Sequence, residues 1–576
     1  MKADGKPRLP SVPDPSSRTM PVREGMKELP RLSGRDALDR ILEAEHPVKV
    51  VQGMARVDFY WLVKKIGDDD ALPLIELASP EQWAHLLDME VWVRDRLDPH
   101  QASLWLERFQ RASPGKLVTW LYGEGESICS HFLSRNIQVE VRRGEELLDL
   151  PQGFFTLDNL FYIKVLDKEQ EEWITNLLRQ MASGDYPRFQ ALLLSLAGVL
   201  PAELEEEMYR SRNVRLAEDG FLPFDEAVSL YAYLKAEAIR SAPSTLPVED
   251  SSDAERTTLV PMIPFLHVEA QNLFVQAAGM QDLHTLDRLR LEFAGLCNQL
   301  ISADLAPVSD LQVLLRACRK AAGYLNLGLE RLSGDQPAAA GDLLRKHPLA
   351  SIFRIGFGLT LELRWEAERG VRDSWFTRVG LSAGFWGEAW GGLLLGLLRK
   401  RPLYYAGYEG EEETRPFERL SEVEGCREAL RRIFALDRFL GILTTGNPLG
   451  RRLAAEPLVT YHTLMLTFWA RGRLGLAPGF EPLSLESVRR LFRDLRKGEA
   501  GPPFRMPGAE GDFLGDLMGS AGDLDQDARE ILRKTLSDLW REFTDEYAWM
   551  EASDLDARFT RFLLIEASLR SGSPAP

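Results

Sequence analysis

Apolar positions in the first quarter of the chain recur in one arrangement. The stretches SPEQWAHLL (79–87), DPHQASLWL (98–106) and SPGKLVTWL (113–121) each open on a short oxygen-bearing residue and a proline. Each then places apolar residues three, six and seven positions past that proline. Ser79, Asp98 and Ser113 can accept a hydrogen bond from a first-turn amide, and Pro80, Pro99 and Pro114 suit the first helical position. Trp83/Leu86/Leu87, Ala102/Trp105/Leu106 and Leu117/Trp120/Leu121 then share one face at helical spacing, so each short helix carries a stripe it cannot bury alone. The pattern predicts short helices stacked on one another, with Trp105 as a core knob.

Helical periodicity continues through TLDRLRLEFAGLCNQLI from Thr285, SDLQVLLRACRKAAGYLNLGLERL from Ser309 and DARFTRFLLIEASL from Asp556, with Thr, Ser and Asp as caps. Two stretches depart from it. In IQVEVRRGEELLDL (137–150), Ile137, Val139 and Val141 alternate with polar residues, which predicts a small hairpin or edge strand. In FRIGFGLTLELRW (353–365) the odd positions are apolar, as in a strand, yet Ile352, Ile355, Leu359 and Leu363 also form a helical stripe. The neighbours offer no partner strand, so helix is the expectation. The fold class is mostly α, a multi-subdomain helical protein with little strand.

The serine-, proline- and acid-rich SAPSTLPVEDSSDAERTT (241–258) and the glycine- and proline-rich KGEAGPPFRMPGAEGD (497–512) read as linkers. The expected organisation is a disordered tail at 1–30, a helical-repeat domain at 31–136 and a second helical subdomain with a short hairpin at 137–240. The 241–258 linker then leads to a central helical domain at 259–496, and the 497–512 linker to C-terminal helices at 513–576.

Composition narrows the function classes. A formal charge of −17 and an isoelectric point near 5.2 argue against a general attraction to phosphate backbones, so no nucleic-acid partner is expected. Cys129, Cys297, Cys318 and Cys426 lie far apart with no CxxC pair, as suits reduced thiols and a cytoplasmic location. Residues 1–30 hold six prolines and no apolar run, unlike an export signal. GLSAGFWGEAWGGLLLGLL (380–398) is marginal in length and has Glu388 near its centre, so a buried helix is expected there and no membrane span.

Residues 57–122, with their repeated Ser/Asp-Pro skeleton, resemble the intracellular helical-repeat domain of bacterial magnesium transporters and similar modules of flagellar motor switch proteins. LNLGLERLSGDQPAAAGDLLRKHPLASIFRIGFGLTLELRWEAE (325–368), with EDGFLPFDEAVSLYAYL (218–234), resembles a family of long uncharacterised bacterial helical proteins. The second resemblance covers nearly the whole chain and implies no activity. No pore-forming helices follow the N-terminal module, so the transporter's function does not carry over.

Candidate chemistry is sparse. GLSAG (380–384) matches G-x-S-x-G, and Ser382, Asp437 and His462 stand in the order of a hydrolase triad. That motif needs a parallel sheet, of which WFTRV (375–379) is the one doubtful strand. The expected alternative is glycine-mediated close packing with the Ser382 hydroxyl shielded. Asp68, Asp69 and Asp70 could present oxygens to a divalent ion, but helix-end charges account for them as well. DLDQD (523–527) lacks the glycine and glutamate of an EF-hand loop and reads as a helix cap. The eight histidines form no HExxH or H-x₃-H pair, and no phosphate loop or dinucleotide fingerprint is present. No cofactor is expected.

Trp365, Trp375, Trp386 and Trp390, amid the arginines of 364–401, could anchor a partner. The expected function is a non-catalytic interaction, scaffold or regulatory protein with a protein partner. A hydrolase using Ser382 and a divalent-ion sensor using Asp68–Asp70 are the alternatives.

Overall fold

The structure is a computed structural model. It describes residues 32–142, 152–196, 200–240, 260–269, 271–306, 310–407, 413–450, 458–497, 501–506, 508–522, 524–557 and 560–566, with Leu29, Val308 and Leu453 besides. Contacts divide the chain into two compact units, 1–354 and 355–576. The expected tail at 1–28 and the expected linker at 241–258 lie outside the described residues.

Among the described residues, eleven helices lead the first unit: α1 Gly34–Leu42, α2 Pro47–Gln52, α3 Arg56–Ile66, α4 Leu72–Leu77, α5 Pro80–Glu90, α6 Pro99–Ala112, α7 Pro114–Leu121, α8 Glu126–Asn136, α9 Glu171–Gly184, α10 Tyr186–Leu196 and α11 Pro201–Glu218. α5, α6 and α7 begin where the repeated skeleton placed them. Ser79 closes a capping box with Gln82, and Asp98 accepts from the amides of His100 and Gln101. Ser113 departs from the expectation, because its side chain makes no cap bond.

The three tryptophans of the skeleton meet around one ring from α6. Trp83 stacks on Phe109 at 4.3 Å, and Trp105 and Trp120 meet the same ring edge-on at 6.1 and 6.3 Å. Trp83 also donates to the carbonyl of Ile75 (2.8 Å), which ties α5 to α4. Lys116 of α7 lies over the Trp83 ring and donates to the carbonyls of Glu76 and Ala78 at the end of α4. Burial holds its amine down to about 8.

Strand content is low. β1 (Trp92–Val93) and β2 (Arg96–Leu97) form a tight hairpin between α5 and α6. β3 (Ile137–Val141), predicted by alternation, is an edge of a three-stranded antiparallel sheet, paired to β5 (Phe161–Val165), which also pairs β4 (Phe155–Thr156).

The first unit continues in α12 (Leu283–Ala303), α13 (Leu311–Ser333) and α14 (Pro337–Lys346), with shorter helical pieces between. Asp282 and Asp310 cap α12 and α13, in place of the predicted Thr285 and Ser309. Packing of α12 on α13 brings the buried Cys297 and Cys318 thiols to 3.8 Å, and both are free. The unit boundary falls within α15 (Leu349–Asp373), so 353–365 is helix, as its stripe predicted.

In the second unit follow α16 (Gly387–Leu397), α17 (Leu420–Gly446), α18 (Tyr461–Arg473), α19 (Leu485–Leu495), α20 (Ala509–Gly519) and α21 (Gln526–Tyr547), with β6 (Tyr404–Tyr405) paired to β7 (Thr414–Arg415). No helix among the described residues is long and apolar enough to cross a membrane. In 380–398, a 3₁₀ turn at Ala383–Trp386 precedes the eleven-residue α16.

Among the described residues, the helix predicted from Asp556 does not form. Residues 560–566 run irregularly: the Leu564 amide donates to Thr467 (2.9 Å), and Ile565 bridges Leu483. Leu563, Leu564 and Ile565 are all buried.

One device recurs in both units. Buried Asp58 of α3 accepts from the amides of Met262 and Ile263 (2.7 and 3.1 Å), at the start of the helical piece Ile263–Leu266. Buried Asp437 of α17 likewise accepts from Trp375 and Phe376 (2.8 and 3.0 Å), at the start of Trp375–Arg378. Each carboxylate satisfies two amides that the first turn of a helix leaves unpaired.

Candidate functional site

The residues weighed for catalysis have other partners. WFTRV, the doubtful strand, starts as the helical turn Trp375–Arg378. Ser382 is exposed rather than shielded, and it makes no cap bond to the 3₁₀ turn after it. Asp437 is engaged with the two amides above, and His462 Nε2 lies 2.9 Å from Glu542 of α21. Among the described residues, no hydrogen bond joins Ser382, Asp437 and His462 to one another. The expected close glycine packing occurs further along: a Cβ on Gly391 would lie 2.8 Å from the Ala383 carbonyl, and one on Gly396 2.7 Å from that of Leu403. Gly380 instead adopts φ +84° with open space around it.

Two residues of the acidic triplet, Asp68 and Asp69, are spent on cations. Asp68 pairs with Lys64 and Arg108, and Asp69 with Arg108 and Arg111 of α6. These residues sit in the turn before α4, where the cap position is Ala71, so they tie α3 and α4 to α6 rather than cap a helix. Asp525 does cap α21, accepting from the Ala528 amide (2.8 Å).

The concave feature with the most pointed chemistry lies in the first unit, where α5, α8 and α11 diverge. It is a groove of about 340 Å³, at the lower end of the roughly 300–1,000 Å³ usual for ligand sites. Its apolar walls are Ala84, Leu87 and Val91 of α5, Trp92 of β1, Trp120 of α7, Ile128 of α8 and Met208 of α11. Glu124, Ser127, Glu207, Ser211, Asp88 and Arg215 supply its polar groups. A larger hollow of about 590 Å³ between α7 and α9 is more polar, and its Tyr122 hydroxyl is already bonded to the Met181 carbonyl (2.9 Å).

A charged network fixes the groove. Arg215 gives Nε and Nη2 to the two oxygens of buried Asp88 at 2.7 and 2.8 Å, a fork-to-fork pair across α11 and α5. Arg212 donates to the Asp88 carbonyl (2.6 Å) and lies over the Trp92 ring. Behind them, Arg56 of α3 reaches Asp219 (2.7 Å), Glu218 (2.9 Å) and the Arg215 carbonyl (3.0 Å). Fully buried His85 has Nδ1 3.4 Å from Asp219, and its Nε2 has no hydrogen-bond partner among the described residues. Burial, then the charges of Arg56, Arg215 and Arg212, hold this imidazole neutral, down to about 3. Buried Glu205 of α11 accepts from the Leu97 amide (2.8 Å) and so pins the hairpin that presents Trp92.

Two groove features are left unsatisfied. Trp120 is 6% exposed, and its indole N–H has no acceptor among the described residues. Glu124 and Glu207, exposed at the rim, make no ion pair among the described residues, and burial together with the charge of Glu81 raises the Glu124 carboxyl. Sequence reasoning found Trp120 but missed Trp92, Asp88, Glu207 and Arg215. The legible signal was the i, i+3 charge pattern of Arg212, Arg215, Glu218 and Asp219 along α11, facing His85 and Asp88 of α5.

Fold and groove together define a mostly helical protein with a small, aromatic-walled surface groove. The chain belongs to a family of unknown function, DUF6178, whose family model matches residues 15–566. No curated protein and no solved structure matches it.

Proposed function

We propose that this is a non-catalytic cytoplasmic interaction protein, whose first unit docks a segment of a protein partner in the α5/α8/α11 groove. The observation that carries this reading is the wall itself. Two tryptophans, a methionine and short aliphatics line a recess held open by the Asp88–Arg215 pair, and such aromatics dominate binding hot spots. The charged groups behind the groove are engaged with one another as positioning elements, which favours docking over catalysis. Four free, buried cysteines support the cytoplasmic location.

The test is a selection of twelve-residue displayed peptides on the full chain, repeated on Ala84→Arg, which fills the groove from a half-exposed helical position. Peptides that enrich on the wild type and are lost on the variant support the proposal. Equal enrichment on both, or none, refutes it.

A further inference from the structure

We infer that the anchor this groove takes from its partner is a basic side chain, arginine or lysine, entering past Glu124 and Glu207 between the tryptophans; this rests on the docking proposal above. Charge accounting within the groove points there. Of its three carboxylates, Asp88 is consumed by the bidentate Arg215, the one guanidinium that lines it. Glu124 and Glu207, on the turn before α8 and on α11, therefore make no ion pair among the described residues.

Other observations agree. Burial and the neighbouring Glu81 charge already work against ionised Glu124, and the attraction of an incoming cation would offset them. Indole faces attract cations, as Arg212, outside the groove lining, shows by lying 5.7 Å from the Trp92 centroid. Trp120, whose buried N–H has no acceptor among the described residues, lines the same groove. A chain of net charge −17 also steers basic partners towards itself. A purely apolar anchor would leave the two carboxylates desolvated and unpaired, and an acidic one would be repelled.

The experiment uses the full chain and three fluorescein-labelled twelve-residue amphipathic peptides. They are identical except for arginine, citrulline or glutamate at the anchor position. Citrulline keeps the shape and removes the charge. Anisotropy titrations should show the arginine peptide binding at least about tenfold more tightly than the citrulline peptide, with the glutamate peptide weakest. In the Glu124→Gln/Glu207→Gln variant, whose changes are both exposed, the arginine advantage should fall to within about twofold. Equal binding of all three peptides overturns the basic anchor and leaves the docking proposal standing. An arginine advantage that survives in the variant overturns the assignment to these two carboxylates. No binding by any peptide overturns both.

Discussion

The Trp83 ring lies flat on the Phe109 ring, 4.3 Å between centroids and 15° between planes, and this stack joins α5 to α6. Trp105 and Trp120 close on the same phenyl ring, so residues repeated along the sequence become one cluster in space. Trp105 has no exposed surface. Trp105→Ala should therefore cost about 3–5 kcal/mol, the usual range for deleting a large buried aromatic. Urea unfolding followed by circular dichroism would show it as a lowered midpoint for the first unit, whereas an unchanged midpoint would mean that the cluster carries no load.

Gly328 of α13 offers a test of sign. Alanine normally stabilises a helix interior relative to glycine by about 1 kcal/mol. Here a Cβ would stand 2.3 Å from the Ile352 carbonyl oxygen, a backbone atom that cannot swing aside. Gly328→Ala should instead destabilise by about 1–3 kcal/mol through overpacking. A rise in melting temperature would show that α13 and α15 can separate without loss.

His85 and Asp58 contribute to pH dependence with opposite signs. An unfolded histidine protonates near 6.5, and His85 in the fold near 3. Between those values the unfolded chain binds more protons, so this stability is lost as pH falls from about 6.5. Burial raises the Asp58 carboxyl to about 7, so its contribution is complete below about 3.8 and is lost as pH rises towards 7. His85→Asn keeps a donor towards Asp219 and removes the titration. Its stability should fall less than the wild type's between pH 6.5 and 4, and parallel profiles for the two proteins would contradict the burial argument.

Asp437 was read in the sequence as a triad member, and the fold uses it to hold two amides. Asp437→Asn replaces one accepting oxygen with a donor that faces a backbone N–H. The expected cost is about 1–3 kcal/mol in the second unit. A calorimetric melt checks it, and a wild-type transition would show that the two amides find other partners.

Much of the architecture was legible because it is local. Proline after a capping residue marks helix starts, and the apolar faces of α5, α6 and α7 follow from spacing alone. Alternation found β3, and the stripe through Ile352 and Leu363 outweighed the strand reading of 353–365. What failed depends on distant partners. The run after Asp556 has helical spacing, but Thr467 and Leu483 hold its backbone extended. The groove was missed for the same reason: Asp88 and Arg215 are 127 positions apart, and the charge pattern along α11 does not by itself name its partner on α5.

Docking in the α5/α8/α11 groove is tested most directly by calorimetric titration of the arginine-anchored peptide into the full chain and into Ala84→Arg, with melting curves confirming that both are folded. The wild type should bind one peptide per chain, and the variant, equally stable, should bind at least about tenfold more weakly. Equal affinity for the two proteins would place the binding surface elsewhere and contradict the account.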